Sequence, residues 1–227
     1  MADANGTFFL TGANGGLGAN VVSQFLTSPF ASANKGLFAV RNSSSAATVV
    51  QILKKTEDQD AHEIIALDLG DLAAIRATAK DVNRRVASGD IPPIRVLVLN
   101  AALQQTQGQN FTTDGFEGTF ATNYLANFLL VLLLLKSINR EKGRIVIISS
   151  WTHDPSHPLN QGHIKDDSHR TIWRDPNVLA KSPEKDAKGD EYSAGMRRYG
   201  MSKTLLVMFV YVNSRYFTQN LSLTSQV

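Results

Sequence analysis

Residues 11–18, TGANGGLG, constrain the fold of this chain more than any other stretch. They follow the apolar run Phe8-Phe9-Leu10 and precede residues 19–26, whose apolar positions have helical spacing. Glycines between a strand and a helix let the backbone adopt positive φ and approach a ligand closely. The helix N-terminus beyond them carries unpaired N–H groups and a partial positive charge, which favour a phosphate. Alone, the segment indicates either a tight turn or a nucleotide site.

Apolar runs recur along the chain and alternate with stretches long enough to be helices. The runs that predict strands are 7–10, 37–40, 63–67, 96–99 and 144–148, and the helical stretches are 16–27, 43–55, 71–88 and 113–139. This alternation predicts an α/β fold, a Rossmann-type doubly wound parallel sheet with helices on both faces. We expect residues 1–227 to form a single domain. Residues from about 151 to 194 are polar and contain prolines, which predicts a long loop.

The composition disfavours several classes of function. The net charge is only +3 and no basic run alternates with aromatic residues, so a nucleic-acid partner is not expected. The absence of cysteine excludes disulfides and zinc–thiolate sites. The longest apolar run, 128–135, is shorter than the ~18 residues of a membrane span. The N-terminus has neither the basic start nor the apolar region of a secretory signal, so we expect a cytoplasmic protein.

Small, polar or charged residues occur directly after each later strand, so side chains that can bind a ligand gather at one edge of the predicted sheet. They are Arg41 and Asn42, then Asp68 and Leu69, then Asn100, Ala101 and Ala102, and finally Ser149 and Ser150. Ligands of open α/β sheets bind outside the carboxyl ends of the strands. Tyr199 and Lys203 are four residues apart and would share one face of a helix. The sequence therefore predicts a dinucleotide site with a Tyr–Lys pair beside it.

These motifs together resemble the short-chain dehydrogenase/reductase family from residue 7 to about residue 213. The glycine turn matches TGxxxGxG of the compact branch and equally TGxxGxxG of the extended, epimerase-type branch. Asn100-Ala101-Ala102 resembles the NAG motif of the compact branch, although Ala102 replaces its glycine. Sugar epimerisation is therefore disfavoured, and the chain is most similar to retinol dehydrogenase-like members and fungal-type ketoreductases.

The resemblance implies a set of cofactor-binding residues and a catalytic tetrad. The cofactor-binding residues would be Gly12, Asn14, Gly15, Gly16, Leu17, Gly18, Arg41, Asn42, Asp68, Leu69, Asn100, Ala101, Ala102, Tyr199 and Lys203. The tetrad would be Ser150, Tyr199, Lys203 and Asn123, with Ser149 as a competitor for the serine position. No Asp or Glu lies between Gly36 and Gln51, and Arg41 suits the 2′-phosphate of NADP, so NADP is expected rather than NAD.

The chemistry of these side chains predicts proton transfer at Tyr199. A free phenol has a pKa near ~10, and the ammonium of Lys203 is expected to lower it by roughly 1–3 units. Tyr199 would donate a proton to a carbonyl oxygen that Ser150 also binds, as hydride arrives from the cofactor. By resemblance, Asn123 would hold a water that links Lys203 to solvent.

The resemblance implies an oxidoreductase that interconverts a ketone or aldehyde and an alcohol. The loop at 151–194 would cover a small lipophilic or aromatic substrate, with Trp151 and Trp173 as lining candidates, in a reaction of secondary metabolism. Four histidines lie in it (His153, His157, His163 and His169), but they are scattered among prolines and no metal site is expected. The sequence leaves open whether the chain forms a homodimer.

The chain departs from the family pattern after the Tyr–Lys helix. The family continues with a sixth strand and a proline-glycine loop that holds the nicotinamide, yet no proline follows Pro183 here. We therefore expect the C-terminal strands to be missing or incomplete and turnover to be weak. The alternative is a truncated, catalytically impaired protein that binds a nucleotide or a partner.

Overall fold

The computed structural model describes residues 6–56, 61–165, 167–170, 175–181 and 190–221, with side chains described as far as residue 212. Five strands form one sheet: β1 Gly6–Thr11, β2 Asn34–Val40, β3 His62–Ala66, β4 Ile94–Leu99 and β5 Arg144–Ile147. Their order across the sheet is β3-β2-β1-β4-β5, and every neighbouring pair is parallel. The predicted parallel sheet is confirmed, and the strands begin and end within three residues of their predicted bounds.

Helices cover both faces of the sheet, as predicted. They are α1 Gly16–Thr27, α2 Ala47–Leu53, α3 Leu72–Ser88, α4 Gly118–Phe120, α5 Ala126–Leu134, α6 Pro176–Lys181 and α7 Glu191–Leu221. On one face, Phe8 and Leu10 of β1 pack with Val22 and Phe25 of α1. On the other face, Phe9 packs in the cluster that α3, α5 and Phe209 of α7 complete. Because successive side chains of β1 point to opposite faces, the whole strand must be apolar or hydrogen-bonded.

A continuous helical segment, Gly118–Ser137, joins α4 to α5 through a π-helical turn at Ala121–Leu125. It is long and apolar enough to cross a membrane by length and composition, and 56% of its most apolar window is buried inside the protein. Leu130, Val131 and Leu134 are among its buried residues, and they lie in the core between the sheet and α3. An apolar helix with this degree of burial is typical of a core helix.

The segment predicted as a loop at about 151–194 holds short helices in its described parts. One-turn 3-10 helices occur at Trp151–His153, Pro158–Asn160 and Asp167–Arg170, α6 follows, and α7 begins at Glu191. The first of these packs closely on α7: a Cβ at Gly200 would lie 2.7 Å from the carbonyl oxygen of Thr152. Trp173 lies outside the described residues.

Candidate active site

The glycine turn brings β1, α1 and the end of β4 into direct contact. Gly12 has φ +66°, and a Cβ there would lie 2.8 Å from Cα of Ala101. A Cβ at Gly18 would lie 2.1 Å from the carbonyl oxygen of Gly12, so α1 starts against the turn itself. Side chains at these two positions would force the backbone apart.

The N-terminus of α1 presents bare backbone to the space above the sheet. Gly15 is the N-cap and supplies no side-chain hydrogen bond, and a Cβ at Gly16 would meet nothing within 4 Å. The first N–H groups of a helix lack intrahelical partners and carry a partial positive charge. This open cradle suits a pyrophosphate, which approaches the backbone closely.

A cleft of about 700 Å³ runs along the carboxyl ends of the strands, where the strand order reverses between β1 and β4. All fifteen residues predicted to bind the cofactor line it, from Gly12 to Lys203. The cleft wall also includes Ser149, the competitor for the serine position, and residues that the sequence did not point to: Thr11, Ala39, Ser44, Ser45, Leu67, Thr122 and Ile148. The volume and the glycine cradle fit a dinucleotide.

Thr11 is the most consequential of the residues that sequence reasoning missed. Its hydroxyl oxygen accepts from the backbone N–H groups of Asn100 (3.1 Å) and Ala101 (3.2 Å). In return, the Asn100 side chain donates to the carbonyl oxygens of Thr11 (3.0 Å) and Gly12 (3.2 Å). These bonds fasten the end of β4 to the glycine turn. The only sequence signal for this role was a hydroxyl residue directly before the first glycine.

Arg41 and Asn42 lie at the end of β2 and play different parts. The Asn42 side chain accepts from the backbone N–H of Ser45 (3.0 Å) and the hydroxyl of Ser44 (2.6 Å), so it shapes the turn. Arg41 is exposed at the cleft, and among the described residues its guanidinium has no hydrogen-bond or ion-pair partner. A cation at this position can meet an anionic group of a bound ligand.

Tyr199 and Lys203 lie one turn apart on α7 at the other end of the cleft. The Lys203 ammonium is 5.5 Å from the centre of the Tyr199 ring and donates to the carbonyl oxygen of Ile148 (2.9 Å). Lys203 is buried, and this burial lowers its pKa to about 8, so it remains mostly protonated at pH 7. The helix therefore places a cation beside the phenol, as the sequence predicts.

The predicted direction of the Tyr199 pKa shift is wrong. Burial of the phenol raises its pKa above the ordinary value, and a hydrogen bond from the Ser150 hydroxyl opposes that shift. Removing the phenolate from water outweighs the attraction of the Lys203 ammonium, which lies 5.5 Å from the centre of the ring. Tyr199 is consequently protonated at neutral pH.

The two serines after β5 differ in what their hydroxyls contact. Ser149 donates to the backbone carbonyl oxygen of Lys203 (3.3 Å), so its hydroxyl fastens β5 to α7. Ser150 caps the 3-10 helix Trp151–His153, where its hydroxyl accepts from the backbone N–H of Thr152 (3.3 Å), and the same hydroxyl acts to lower the pKa of Tyr199. Ser149 lines the cleft wall, but the influence of the Ser150 hydroxyl on the Tyr199 pKa favours Ser150 for the tetrad position.

Asn123 is fully buried in the π-helical turn, behind the cleft wall. Its side chain accepts from the N–H of Leu103 (2.7 Å) and donates to the carbonyl oxygen of Leu103 (2.9 Å) and to the hydroxyl of Ser202 (2.9 Å). Ser202 donates in turn to the carbonyl oxygen of Tyr199 (2.7 Å). Asn123 thus connects the segment after β4 to α7, and its predicted part in holding a water stays a prediction.

The histidines of the segment after β5 make separate contacts. His153 hydrogen-bonds the carbonyl oxygen of Ser150 (2.6 Å), His157 packs against the ring of Trp151, and His163 hydrogen-bonds Ser193 (3.2 Å). Within the part of the chain that the structure describes, no three His, Asp or Glu residues form a group that could hold a metal ion. Trp151 is 41% exposed and lies beside Ser150.

Comparison with known proteins agrees with this geometry. The family model described as short chain dehydrogenase matches residues 7–159. The short-chain dehydrogenase iccH of Talaromyces variabilis is 39% identical, over 89% of this chain and 62% of its own length. This chain therefore spans about three fifths of the length of that relative.

Solved structures show the same fold at lower identity. The carbonyl reductase Sniffer of D. melanogaster has a TM-score of 0.65 at 16% identity, over 96% of this chain and 77% of its own. A metagenomic short-chain oxidoreductase in complex with NADP has a TM-score of 0.61 at 19% identity, over 98% of this chain and 80% of its own. The family model spans well over half of the chain and includes the glycine turn, Asn123 and Ser150, so the protein belongs to the short-chain dehydrogenases, a family of oxidoreductases.

Proposed function

We propose that this protein is an NADP-dependent oxidoreductase that interconverts a ketone or aldehyde and an alcohol. The observation that carries the proposal is the group formed by Tyr199, Lys203 and the Ser150 hydroxyl at one end of a dinucleotide-sized cleft. The alternative, a nucleotide-binding protein without turnover, is not favoured, because all four tetrad side chains are present and the proton donor reaches the cleft.

Each side chain has a distinct task in the proposed reaction. The nicotinamide cofactor, when bound, supplies or accepts the hydride. Tyr199, protonated at neutral pH, donates its proton to the carbonyl oxygen, and Ser150 hydrogen-bonds the same oxygen and orients it. The Lys203 ammonium beside the ring stabilises the phenolate that remains. Asn123 keeps α7 in register with the segment after β4, which fixes the distance between proton donor and substrate.

The choice of NADP rests on the end of β2. Arg41 is exposed at the cleft without a partner among the described residues, the hydroxyls of Ser44 and Ser45 line the same wall, and no carboxylate occurs between Gly36 and Gln51. A phosphate placed there would gain a charge-assisted hydrogen bond, whereas the ribose hydroxyls of NAD would find no carboxylate acceptor. The similar structure of the metagenomic short-chain oxidoreductase, which was solved in complex with NADP, supports the same choice of cofactor.

The substrate we propose is small and lipophilic or aromatic. Trp151, which follows Ser150 in the sequence and is 41% exposed, offers an apolar ring for such a substrate. Similarity to a fungal short-chain dehydrogenase supports a place in secondary metabolism. We further propose that the protein is cytoplasmic. We also propose that it forms a homodimer, and light scattering on the purified chain would test this oligomeric state.

A Tyr199→Phe variant tests the proposal directly. Phenylalanine keeps the ring and its packing but removes the transferable proton, so NADPH binding should stay within about threefold while carbonyl reduction falls at least 100-fold. NADPH oxidation is followed by absorbance with a panel of aromatic and aliphatic ketones and aldehydes. A matched control, Tyr211→Phe, makes the same change at an exposed position of α7 and should alter neither quantity. Equal turnover by the unmodified chain and Tyr199→Phe would overturn the proposed function.

A further inference from the structure

Glu117 and Arg198 form a buried ion pair, and Arg198 directly precedes the candidate catalytic Tyr199 in the sequence. The Nε of Arg198 is 3.8 Å from Oε1 of Glu117, and their side chains are 1% and 0% exposed. Burying two charges is unfavourable unless they are paired and hydrogen-bonded, and uncharged residues of similar size often stabilise a fold as well or better. Global stability is therefore a poor explanation for this ion pair. The hydrogen bonds that its two members make to the backbone indicate a role in positioning the surrounding segments.

The Glu117 end of the pair controls the start of the helical segment that carries Asn123. Its Oε2 accepts from the backbone N–H of Phe120 (2.7 Å), which caps α4 immediately before the π-helical turn. The backbone N–H of Glu117 donates to the carbonyl oxygen of Ala180 in α6 (2.9 Å). Among the described residues, Oε1 accepts no hydrogen bond, so Arg198 is the cation that faces it.

The Arg198 end fastens α7 to the segment after β4. Its Nη2 donates to the carbonyl oxygen of Gly108 (2.8 Å). The backbones approach closely here, because a Cβ at Gly195 would lie 2.5 Å from the carbonyl oxygen of Gln105. On the opposite side, Gly200 contacts Thr152 in the same way. The turn of α7 that carries Tyr199 is thus held between two backbone segments, and Arg198 fixes one of them.

We propose that Glu117 and Arg198 are positioning residues, which set the depth of Tyr199 in the cleft by tying α4, the segment after β4 and α7 together. Neither side chain touches the reacting atoms, so both act through Tyr199 and Asn123. The inference rests on the proposed function, since the depth of Tyr199 matters for turnover only where Tyr199 transfers the proton. A misplacement of about 1 Å in such a group can lower a rate by roughly 100-fold.

The double variant Glu117→Gln/Arg198→Met separates positioning from stabilisation. It removes both charges at similar volume and leaves no charge unpaired, so the melting temperature should stay near that of the unmodified chain. It also removes the Gly108 contact, so kcat should fall roughly 10- to 100-fold while the Kd for NADPH changes less than about threefold. Arg84→Met, the same chemical change at an exposed arginine of α3, is the control and should change none of these quantities.

Two outcomes would overturn the proposal. If the double variant has both the melting temperature and the kcat of the unmodified chain, the ion pair does not position Tyr199 and only neutralises buried charge. If the double variant does not fold, Arg198→Lys takes its place, because lysine keeps a cation opposite Glu117 without the planar fork that reaches Gly108. Unchanged kcat in a folded Arg198→Lys protein would also overturn positioning.

A spectroscopic readout keeps this test apart from the proposed function. Ionisation of Tyr199 is followed by the ultraviolet difference spectrum between each protein and its Tyr199→Phe counterpart. The buried phenol titrates above its ordinary pKa in the unmodified chain, and loosening α7 in Arg198→Lys should move that pKa toward the ordinary value. A chain that shows this shift but no Tyr199-dependent turnover would refute the proposed function and retain the positioning; an unchanged titration curve would refute the positioning.

Discussion

Gly18→Ala is the most sharply defined perturbation of the cleft. The added Cβ would lie 2.1 Å from the carbonyl oxygen of Gly12, 2.9 Å from its carbonyl carbon and 3.0 Å from Cα of Ala13. All three neighbours are backbone atoms of the glycine turn, so no side chain can rotate away. Either α1 or the turn must move by about 1 Å to restore ordinary contact.

The magnitude follows from the cost of overpacking. Inserting a methyl group into a tightly packed position typically costs roughly 1–3 kcal/mol, and a clash with backbone belongs at the upper end. A loss of about 3 kcal/mol in the free energy of unfolding corresponds to a fall of about 6–12 °C in the melting temperature for a domain of this size. The same movement turns the first N–H groups of α1 away from the cleft, so the Kd for NADPH should rise at least tenfold.

Gly16→Ala is the matched control on the same turn. Its Cβ would meet nothing within 4 Å, and replacing glycine by alanine at a compatible position stabilises by about 0.4–1 kcal/mol. Thermal denaturation without nucleotide should therefore show Gly18→Ala well below the unmodified chain and Gly16→Ala equal to it or slightly above. Equal melting temperatures for the two variants would refute the reasoning that Gly18 is required by the close approach of α1 to Gly12.

Three further predictions concern charges. Arg41→Asp should lower the preference for NADPH over NADH by about 10- to 150-fold, since a hydrogen bond to a charged group contributes roughly 1.5–3 kcal/mol; fluorescence titration of both cofactors measures it, and equal affinities in the unmodified chain would contradict it. The pKa of Lys203 falls from 10.5 to about 8 on folding, so the unfolded chain binds more protons between these values and stability rises with pH there. Between about pH 8 and 10, the free energy of unfolding of the unmodified chain should therefore rise relative to that of Lys203→Met in denaturant titrations. The pKa of Asp190 falls from 3.8 to about 2 because Lys165 and Arg197 hydrogen-bond it, so its contribution is lost as pH falls through that window; Asp190→Asn should show a shallower loss of stability there, and parallel acid-denaturation curves would contradict the assignment.

The sheet was predictable because its signals are local. Each buried parallel strand must be apolar on consecutive positions, and the glycine turn has few alternatives to a strand–helix junction. Once the strands are parallel, their carboxyl ends share one edge, so residues as far apart as Arg41, Asp68 and Asn100 line one cleft without further assumption. Short helices between 151 and 181 were missed because prolines and polar residues hide one-turn elements from any periodicity argument.

Features that depend on contacts between distant elements were not predictable. The hydroxyl of Thr11 works through bonds to Asn100 and Ala101, almost ninety residues away. Glu117 and Arg198 look like surface charges in sequence, and only packing shows that both are buried. Tyr199 has the expected cation nearby, yet burial of the phenol sets the direction of its pKa shift. The sequence of one helical turn does not reveal that burial.

That direction bears on which way the proposed reaction runs most readily. A phenol with a raised pKa is an intact acid at neutral pH, ready to donate to a carbonyl oxygen, whereas alcohol oxidation requires the phenolate first. At neutral pH the Lys203 ammonium, 5.5 Å from the centre of the ring, is still mostly charged and stabilises the phenolate that remains after proton donation; above its pKa of about 8 this charge is lost. Tyr199 is therefore in its acid form when the reaction begins, and the Lys203 ammonium becomes important after the proton has left. This order favours carbonyl reduction at neutral pH and predicts that alcohol oxidation gains relative to reduction as the pH rises toward the pKa of Tyr199.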